Sequence, residues 1–422
     1  MSRRVLLLQG PVGPFFGDFA RDLENRGYFV CKINFNGGDA FCYKGPNPIE
    51  FTGSSGEFPD FLRETIEKHG VERLYLFGDT RKHHEQAISV SREMGVRAFV
   101  FEEGYIRPDF ITLEEWGVNA RSDQPRDPAY FRRRPQPVAR QCQKTAHVFV
   151  WTAIWAMVYY TASAMARKKY PHYHHHRPLG VLSETSRWFK GFIRKFWYGI
   201  KERKMLNHLV TEHSKKFFLV PLQVHCDGQV RHHSSFDSVF AFIEKVVESF
   251  AGHASESSVL VIKHHPLDRA YNEYTASIKM LERKYNLAGR LFYVHDLHLP
   301  TLLDHAAGTV VINSTVGLSS LWHGAPVKVL GEAVYNMPGL TSQLDLDKFW
   351  LHPGLVDTKL NAAYRAYLME TNQLNGSFYN RLSESNTVCG LKLDESFWKR
   401  HLSPSPEVLD QKTAVRARKL AT

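Results

Sequence analysis

Two parallel-sheet α/β domains facing each other across a cleft are the fold this sequence predicts. Three observations predict it. Over residues 1–104, short apolar runs rich in branched side chains alternate with helical patterns. The same rhythm returns after about residue 215, and 422 residues are more than one compact core usually holds.

Each element follows from its pattern. Residues 5–8, 28–35, 74–77 and 98–101 read as strands, and 15–26, 59–69 and 82–94 as helices, with Phe15, Phe19 and Leu23 spaced for one buried face. In the second half, 217–224, 259–263, 291–294, 309–312 and 327–330 read as strands, separated by helices near 236–250, 268–286, 299–306 and 315–323. Strand, helix, strand in this order implies parallel sheets. Residues 105–214 break the rhythm: they hold the Arg132-Arg133-Arg134-Pro135 stretch, an uncharged run over 148–166 and a basic aromatic segment. Residues 346–422 read as helical and loop-like without a clear strand. The expected domains are therefore 1–205 with an insert at about 148–204, then 206–345, then a helical extension over 346–422.

Composition narrows the function classes. Hydrophobic residues at 43% and charged residues at 23% describe a globular protein rather than a disordered or integral membrane one. Fifty-four Lys and Arg against 43 Asp and Glu leave a net charge of +11, which favours an acidic partner: nucleic acid, anionic lipid, or a phosphorylated or carboxylated substrate. No nucleic-acid-binding motif accompanies the charge. Five scattered cysteines without a CxxC pair indicate neither a disulfide framework nor a zinc site and fit a reducing cytoplasm. The apolar run 5–8, ending at Gly10-Pro11, is too short for a secretion signal and reads as a first strand.

In open parallel sheets ligands bind beyond the carboxyl ends of the strands, and three polar clusters fall there. Glu102-Glu103-Gly104 follows the strand at 98–101, with Arg107 close behind. Neighbouring strand residues point to opposite faces, so one of the two carboxylates is expected to face the cleft as base or nucleophile. Lys263-His264-His265-Pro266 ends another strand, and the proline holds His265 extended, aimed at a phosphate or leaving group. Asn313-Ser314-Thr315-Val316-Gly317 joins a strand to a helix whose capping hydroxyls and free N–H groups suit an anion. Each phrase alone also fits a plainer role: an acidic turn, a histidine in a βα turn, a helix cap.

Acidic-acidic-Gly, then His-Pro, then a Ser/Thr pair, in that order, resembles bacterial GT-B transferases that use CMP-activated ulosonic or nonulosonic acids. The phrases Phe101-Glu102-Glu103-Gly104-Tyr105-Ile106-Arg107-Pro108, Val220-Pro221-Leu222-Gln223-Val224 and Asn313-Ser314-Thr315-Val316-Gly317-Leu318 are similar to blocks of the capsule polysaccharide proteins of the KpsS type, β-Kdo transferases that start a poly-Kdo linker on phosphatidylglycerol. The resemblance implies two Rossmann-like domains in a GT-B-like pair, CMP-β-Kdo as donor, an anionic glycerophospholipid as acceptor, and retention at the anomeric carbon. It places Glu103 at the acidic catalytic position with Glu102 beside it, His265 at the phosphate, and Ser314 with Thr315 as the phosphate-binding pair. Asn313, Lys263 and Gln223 join the donor site, Asp296 falls near a ribose-binding acid, and Arg107 or Lys263 would meet the sugar carboxylate. It implies no metal and no cofactor, because His265 and the hydroxyl pair would neutralise the departing phosphate. The chain departs from related two-module Kdo transferases, which read Glu-Asp-Gly at the acidic phrase. Two other readings stay open: a transferase for another CMP-sugar such as sialic acid, and a non-catalytic, membrane-docked export adaptor working with other capsule assembly proteins.

The uncharged run 148–166 contains Trp151, Trp155, Tyr159 and Tyr160 and precedes Arg167, Lys168 and Lys169. The segment 188–197 interleaves Trp188, Phe189, Phe192, Phe196 and Trp197 with Lys190, Arg194 and Lys195. Such mixtures suit a bilayer interface, so the chain is expected on the cytoplasmic face of the bacterial inner membrane as a peripheral protein. A helix buried between the domains is the alternative. The histidines at 172 and 174–176 read as an uncommitted exposed loop rather than a metal site.

Overall fold

A computed structural model describes residues 3–134, 142–173, 181–224 and 233–402, with backbone alone at 181–189 and 192. His174, His175, His176 and Cys226 lie outside the described residues, as do the side chains of Trp188, Phe189 and Phe192.

The first half runs β1 (Arg3–Leu7), α1 (Phe15–Asn25), β2 (Tyr28–Asn34), α2 (Gly37–Cys42), β3 (Pro48–Glu50), α3 (Phe58–His69), β4 (Arg73–Phe77), α4 (Lys82–Glu93), β5 (Arg97–Glu103) and β6 (Phe110–Glu115). Three helices follow: α5 (Pro128–Arg132), α6 (Val148–Met165) and α7 (Val181–Lys201). The second half runs α8 (Met205–Glu212), β7 (Phe217–Pro221), α9 (Val239–His253), β8 (Val259–Lys263), α10 (Thr275–Lys284), β9 (Leu291–Val294), α11 (Leu299–His305), β10 (Gly308–Val311), α12 (Val316–Trp322) and β11 (Val327–Val329). The chain closes with α13 (Leu346–Phe349), α14 (Thr358–Thr371), β12 (Gln373–Asn375) and α15 (Glu395–Leu402).

Two sheets result, with strand orders β12-β6-β5-β4-β1-β2-β3 and β11-β10-β7-β8-β9. The second is parallel throughout, as expected of near-continuous apolar strands covered on both faces. The first is parallel from β5 to β3, but β6 and β12 are antiparallel additions. Both faces of each sheet carry a core. Phe15, Phe19 and Tyr75 fill one side of the first and Leu6, Leu62 and Leu76 the other; Phe242 and Ile262 face Leu219 and Leu302 across the second. Each such side chain contributes about 1.5–3 kcal/mol by leaving water.

Two expectations need correction. The break in βα rhythm after residue 104 hides a strand, because β6 doubles back antiparallel to β5 and both of its faces are buried, which removes the alternation that marks a half-exposed strand. The tail is not strandless: Leu374 pairs with Ile111 across the sheet edge, and Phe378, Leu391 and Trp398 complete the core around Phe15 and Phe19. From β12 onward the tail therefore belongs physically to the first unit, whereas Leu346, Phe349 and Trp350 at its start join the core of the second. A fifth cluster joins the units, packing Tyr105, Ile106 and Phe131 against Leu318, Tyr335 and Tyr364.

Helix α6 is not the buried interdomain helix that was one alternative, since Tyr159 is its only buried residue. The Tyr159 hydroxyl donates to Asp39 Oδ1 at 2.9 Å and accepts from Gln9 Nε2 and Asn36 Nδ2 at 2.8 Å each. These partners sit just beyond β1 and β2, so α6 lies across the carboxyl edge of the first sheet. By length and composition it could cross a bilayer, but these bonds lay it on the domain.

Candidate active site

Every polar cluster picked out above lies at a carboxyl strand edge. Glu102 and Glu103 end β5, and Gly104 turns the chain where a Cβ would strike the Phe110 carbonyl, so only glycine lets β6 start so close. The turn is held from the far end of the chain: Gln373 Oε1 accepts from the Tyr105 and Ile106 amides at 2.9 and 3.2 Å.

The two carboxylates occupy different surroundings. Glu103 is on the face shared with Phe99 and Phe101, where the Tyr379 hydroxyl donates to its Oε1 at 2.9 Å. Glu102 turns the other way, accepts from the Glu103 amide at 2.9 Å, and approaches the loop after β4. Burial pushes the Glu102 carboxyl up to about 7, the Glu103 and Asp79 charges push the same way, and the Glu103 amide and Arg107 oppose.

Asp79 went unnoticed in the sequence. It is fully buried directly beyond β4, accepts from the Val118 amide at 3.0 Å through Oδ2, and leaves Oδ1 without a hydrogen-bond partner. Burial raises its pKa, against the Val118 amide, Arg121 and His233. Phe77-Gly78-Asp79 closes an apolar strand as Glu102-Glu103-Gly104 does, and that position was the available signal. Tyr379 could not be found this way, because only the returning tail brings it to Glu103.

The second unit supplies cations. His265, at the carboxyl end of β8, has φ −77 and ψ 129, the extended form its proline demands, and its Nδ1 accepts from the Leu267 amide at 3.2 Å. Burial first, then the charges of Arg107, Lys263, His264 and Arg269, push its pKa down to about 3. Arg107 belongs to the first unit, so the two halves meet electrostatically here. The neighbouring His264 is committed elsewhere, its Nδ1 sharing a 2.7 Å hydrogen bond with the Tyr293 hydroxyl.

Asn313, Ser314 and Thr315 form the turn between β10 and α12. Ser314 Oγ accepts from the Val316 amide at 3.2 Å, Thr315 makes no side-chain cap bond, and Gln223 Nε2 donates to Asn313 Oδ1 at 2.9 Å. Gln223 and the turn thus form one bonded unit. Lys263 Nζ donates to the His295 carbonyl at 3.3 Å, and burial lowers its pKa. Asp296, expected near a ribose, accepts from Arg269 Nη2 at 2.6 Å. The first unit therefore brings Glu102, Glu103 and Asp79 together with Arg107, and the second brings Lys263, Arg269 and the neutral His265, a set of acids and hydrogen-bond donors that suits a sugar nucleotide.

Residues 72–379 match the family described as capsule polysaccharide biosynthesis protein. The chain belongs to that family. Among its relatives, the capsule polysaccharide export protein KpsS of Escherichia coli is 40% identical over 381 residues, covering 90% of this chain and 97% of that one. The capsule polysaccharide modification protein LipB of Neisseria meningitidis serogroup A is 40% identical over 388 residues, 90% of this chain and 93% of that one. Among solved structures, the β-Kdo 2,7 transferase KpsC of Thermosulfurimonas dismutans aligns over 86% of this capsule-family chain and 89% of its own, at 14% identity and a TM-score of 0.40. A glycosyltransferase of Rickettsia africae aligns over 96% of this chain and all of its own, at 10% identity and a TM-score of 0.37.

Among the described residues one group has metal-ligand spacing: His208, Glu212 and His213. It lies on and just after α8, immediately before β7, at the amino edge of the second sheet and away from the cleft.

Proposed function

We propose that this capsule-family protein is a retaining glycosyltransferase that moves Kdo from CMP-β-Kdo to a phosphatidylglycerol-type lipid, starting the poly-Kdo linker of a capsular polysaccharide. The observation that carries the reading is Arg107, whose charge acts both on Glu102 at the end of β5 and on His265 at the end of β8, next to Lys263, so that acidic and basic strand ends of the two units adjoin. In this reading Glu103 attacks the anomeric carbon as its bond to the phosphate oxygen breaks and CMP leaves with the electron pair. The acceptor hydroxyl then displaces Glu103, restoring the original configuration, and its proton passes to Glu102, whose pKa near neutrality suits a base. His265, Arg107 and the Ser314/Thr315 turn receive the phosphate, Lys263 serves the sugar carboxylate, and no metal is assigned a part.

The apolar side chains left open on this edge support a lipid acceptor: α6 exposes Phe149, Val150 and Met157, and α2, which packs on α6, exposes Phe41. The test is mass spectrometry of phosphatidylglycerol after incubation with CMP-Kdo and purified protein. The expected product is the lipid plus Kdo. Transfer from CMP-sialic acid instead would change the donor, and no transfer from either donor would leave the export-adaptor reading.

A further inference from the structure

Over residues 193–201, helix α7 is amphipathic the wrong way round for a helix that packs on a domain. Its polar residues Arg194 and Tyr198 face the second unit, while Ile193, Phe196, Trp197 and Ile200 face solvent, Phe196 and Trp197 at 71% and 63% exposure. Exposed cations surround the apolar face: Lys190, Lys195, Lys201 and, just beyond, Arg203 and Lys204. Exposed aromatics interleaved with lysines match an anionic bilayer surface in both chemistry and charge. Helix α7 also touches α6, which leaves apolar residues open of its own.

The buried side of α7 is bonded to two short loops, the one after β9 and the one between β8 and α10. Glu202, immediately after the helix, accepts from the His295 amide at 2.9 Å, from the Asp296 amide at 3.1 Å and from His295 Nδ1 at 2.7 Å. The Tyr198 ring stacks on the His295 ring with centroids 3.6 Å apart and planes 3° from parallel, and its hydroxyl donates to Glu273 at 2.7 Å. Arg194 donates to the Arg269 carbonyl at 2.6 Å. The loop after β9 also holds the donor-side cations, since Asp296 pairs with Arg269 and the His295 carbonyl accepts from Lys263.

We propose that Glu202 is a positioning residue through which an anionic lipid surface, seated on α7, sets the loop His295–Asp296 and thereby the cations of the donor pocket. This rests on the donor reading above. It means that lipid engagement and nucleotide binding favour each other, each raising the affinity for the other by the same factor. The protein would then hold its donor tightly only where acceptor lipid is present.

The test uses the full chain, with CMP binding measured by calorimetry in the presence and absence of phosphatidylglycerol vesicles, and backbone amide exchange followed at residues 295 and 296. Native protein is expected to bind CMP roughly fivefold or more tightly with vesicles, and the two amides to exchange more slowly. Glu202→Gln keeps the shape and one acceptor oxygen but loses the charge. It is expected to bind vesicles as the native protein does while losing the gain in CMP affinity, a split that simple destabilisation would not produce. Should that variant not fold, Phe196→Ser with Trp197→Ser should abolish vesicle binding and the gain together. Equal CMP affinity with and without vesicles, or a full gain in Glu202→Gln, would overturn the proposal. If CMP binds under neither condition, the donor reading fails by itself; vesicle-dependent protection of the two amides then supports the coupling, and its absence sinks it.

Discussion

At the scale of single residues, chemistry at this site follows from where burial and charge place each group. Glu102 and Glu103 are adjacent in sequence yet stand in different surroundings, one against the Asp79 loop and one under Tyr379. Replacing Glu103 with Gln should lower turnover by at least about 10² while leaving the melting temperature close to native; near-normal transfer would remove it from the mechanism. With Glu102 raised to about 7, a base role requires the rate to climb as pH rises through that value and level off above it. In Glu102→Gln that inflection should vanish from the pH–rate profile, and its persistence would assign it to another group. His265 is pushed down to about 3 and is neutral at working pH, so in the proposed reaction it would meet phosphate as a hydrogen-bond donor rather than as a cation. His265→Ala should therefore weaken CMP binding by roughly tenfold, the worth of one hydrogen bond to a charged group, with titration calorimetry as the check.

At the scale of elements, α6 and α7 are held on the domains by polar anchors and leave their apolar faces open. Not every basic residue of this region faces outward. Arg194 was expected to meet lipid, but it turns in to the Arg269 carbonyl, and Lys169 lies 3.6 Å from Glu50. Replacing the outward Lys168, Lys190 and Lys195 with Gln should weaken binding to phosphatidylglycerol vesicles, since each contributes about 1 kcal/mol near such a surface. High salt should imitate the loss; salt-independent binding equal to native would argue against a lipid-facing helix. The anchor of α7 also has a pH window. Burial alone would lower His295, but Glu202 and Glu273 outweigh it and raise its pKa, with Tyr198, Tyr293, His264 and Lys263 also beside it. Both glutamates are held below their ordinary value of 4.5, Glu202 by the His295 and Asp296 hydrogen bonds that outweigh its burial, and Glu273 by His295, Thr275 and Tyr198 in the same way. A raised imidazole contributes fully below its unfolded value of 6.5 and stops contributing as pH passes its folded value, whereas lowered carboxylates contribute fully above 4.5. Amide protection at 295 and 296 should thus be greatest between those values and fall on the alkaline side; protection that stays flat up to pH 9 would mean that His295 does not titrate in that range and sets no window for the anchor.

At the scale of the whole molecule, the last described elements pack on the first ones. The tail returns from the second unit, adds β12 to the first sheet, and packs Phe378, Leu391 and Trp398 over α1. Trp398 is nearly inaccessible and carries the Arg26 guanidinium 4.2 Å from its ring centroid. Trp398→Ala should cost about 3–5 kcal/mol, as large-to-small core changes do, and should lower the unfolding midpoint of the first unit. A midpoint within a degree of native would show that the tail is a cap rather than core. The same return brings Tyr379 to Glu103 and Gln373 to the Tyr105 turn, so the tail shapes the site without carrying a motif of its own.

By itself the sequence determined the strands that are buried on both faces, their parallel order, and the placement of Glu102, Glu103, His265 and Asn313–Thr315 at carboxyl strand ends. Those are local facts, because an apolar run of strand length followed by a polar turn needs no distant partner to be recognised. Tertiary structure alone decided what depends on residues far apart in the chain. The pairing of β6 with β12, the Tyr379 bond to Glu103 and the Glu202 bonds to the loop after β9 span separations that no periodicity reports. It also decided which side of α7 faces water. The segment's aromatics and cations announce an interface, but their orientation is set by bonds from Arg194, Tyr198 and Glu202 to groups that folding brings beneath them.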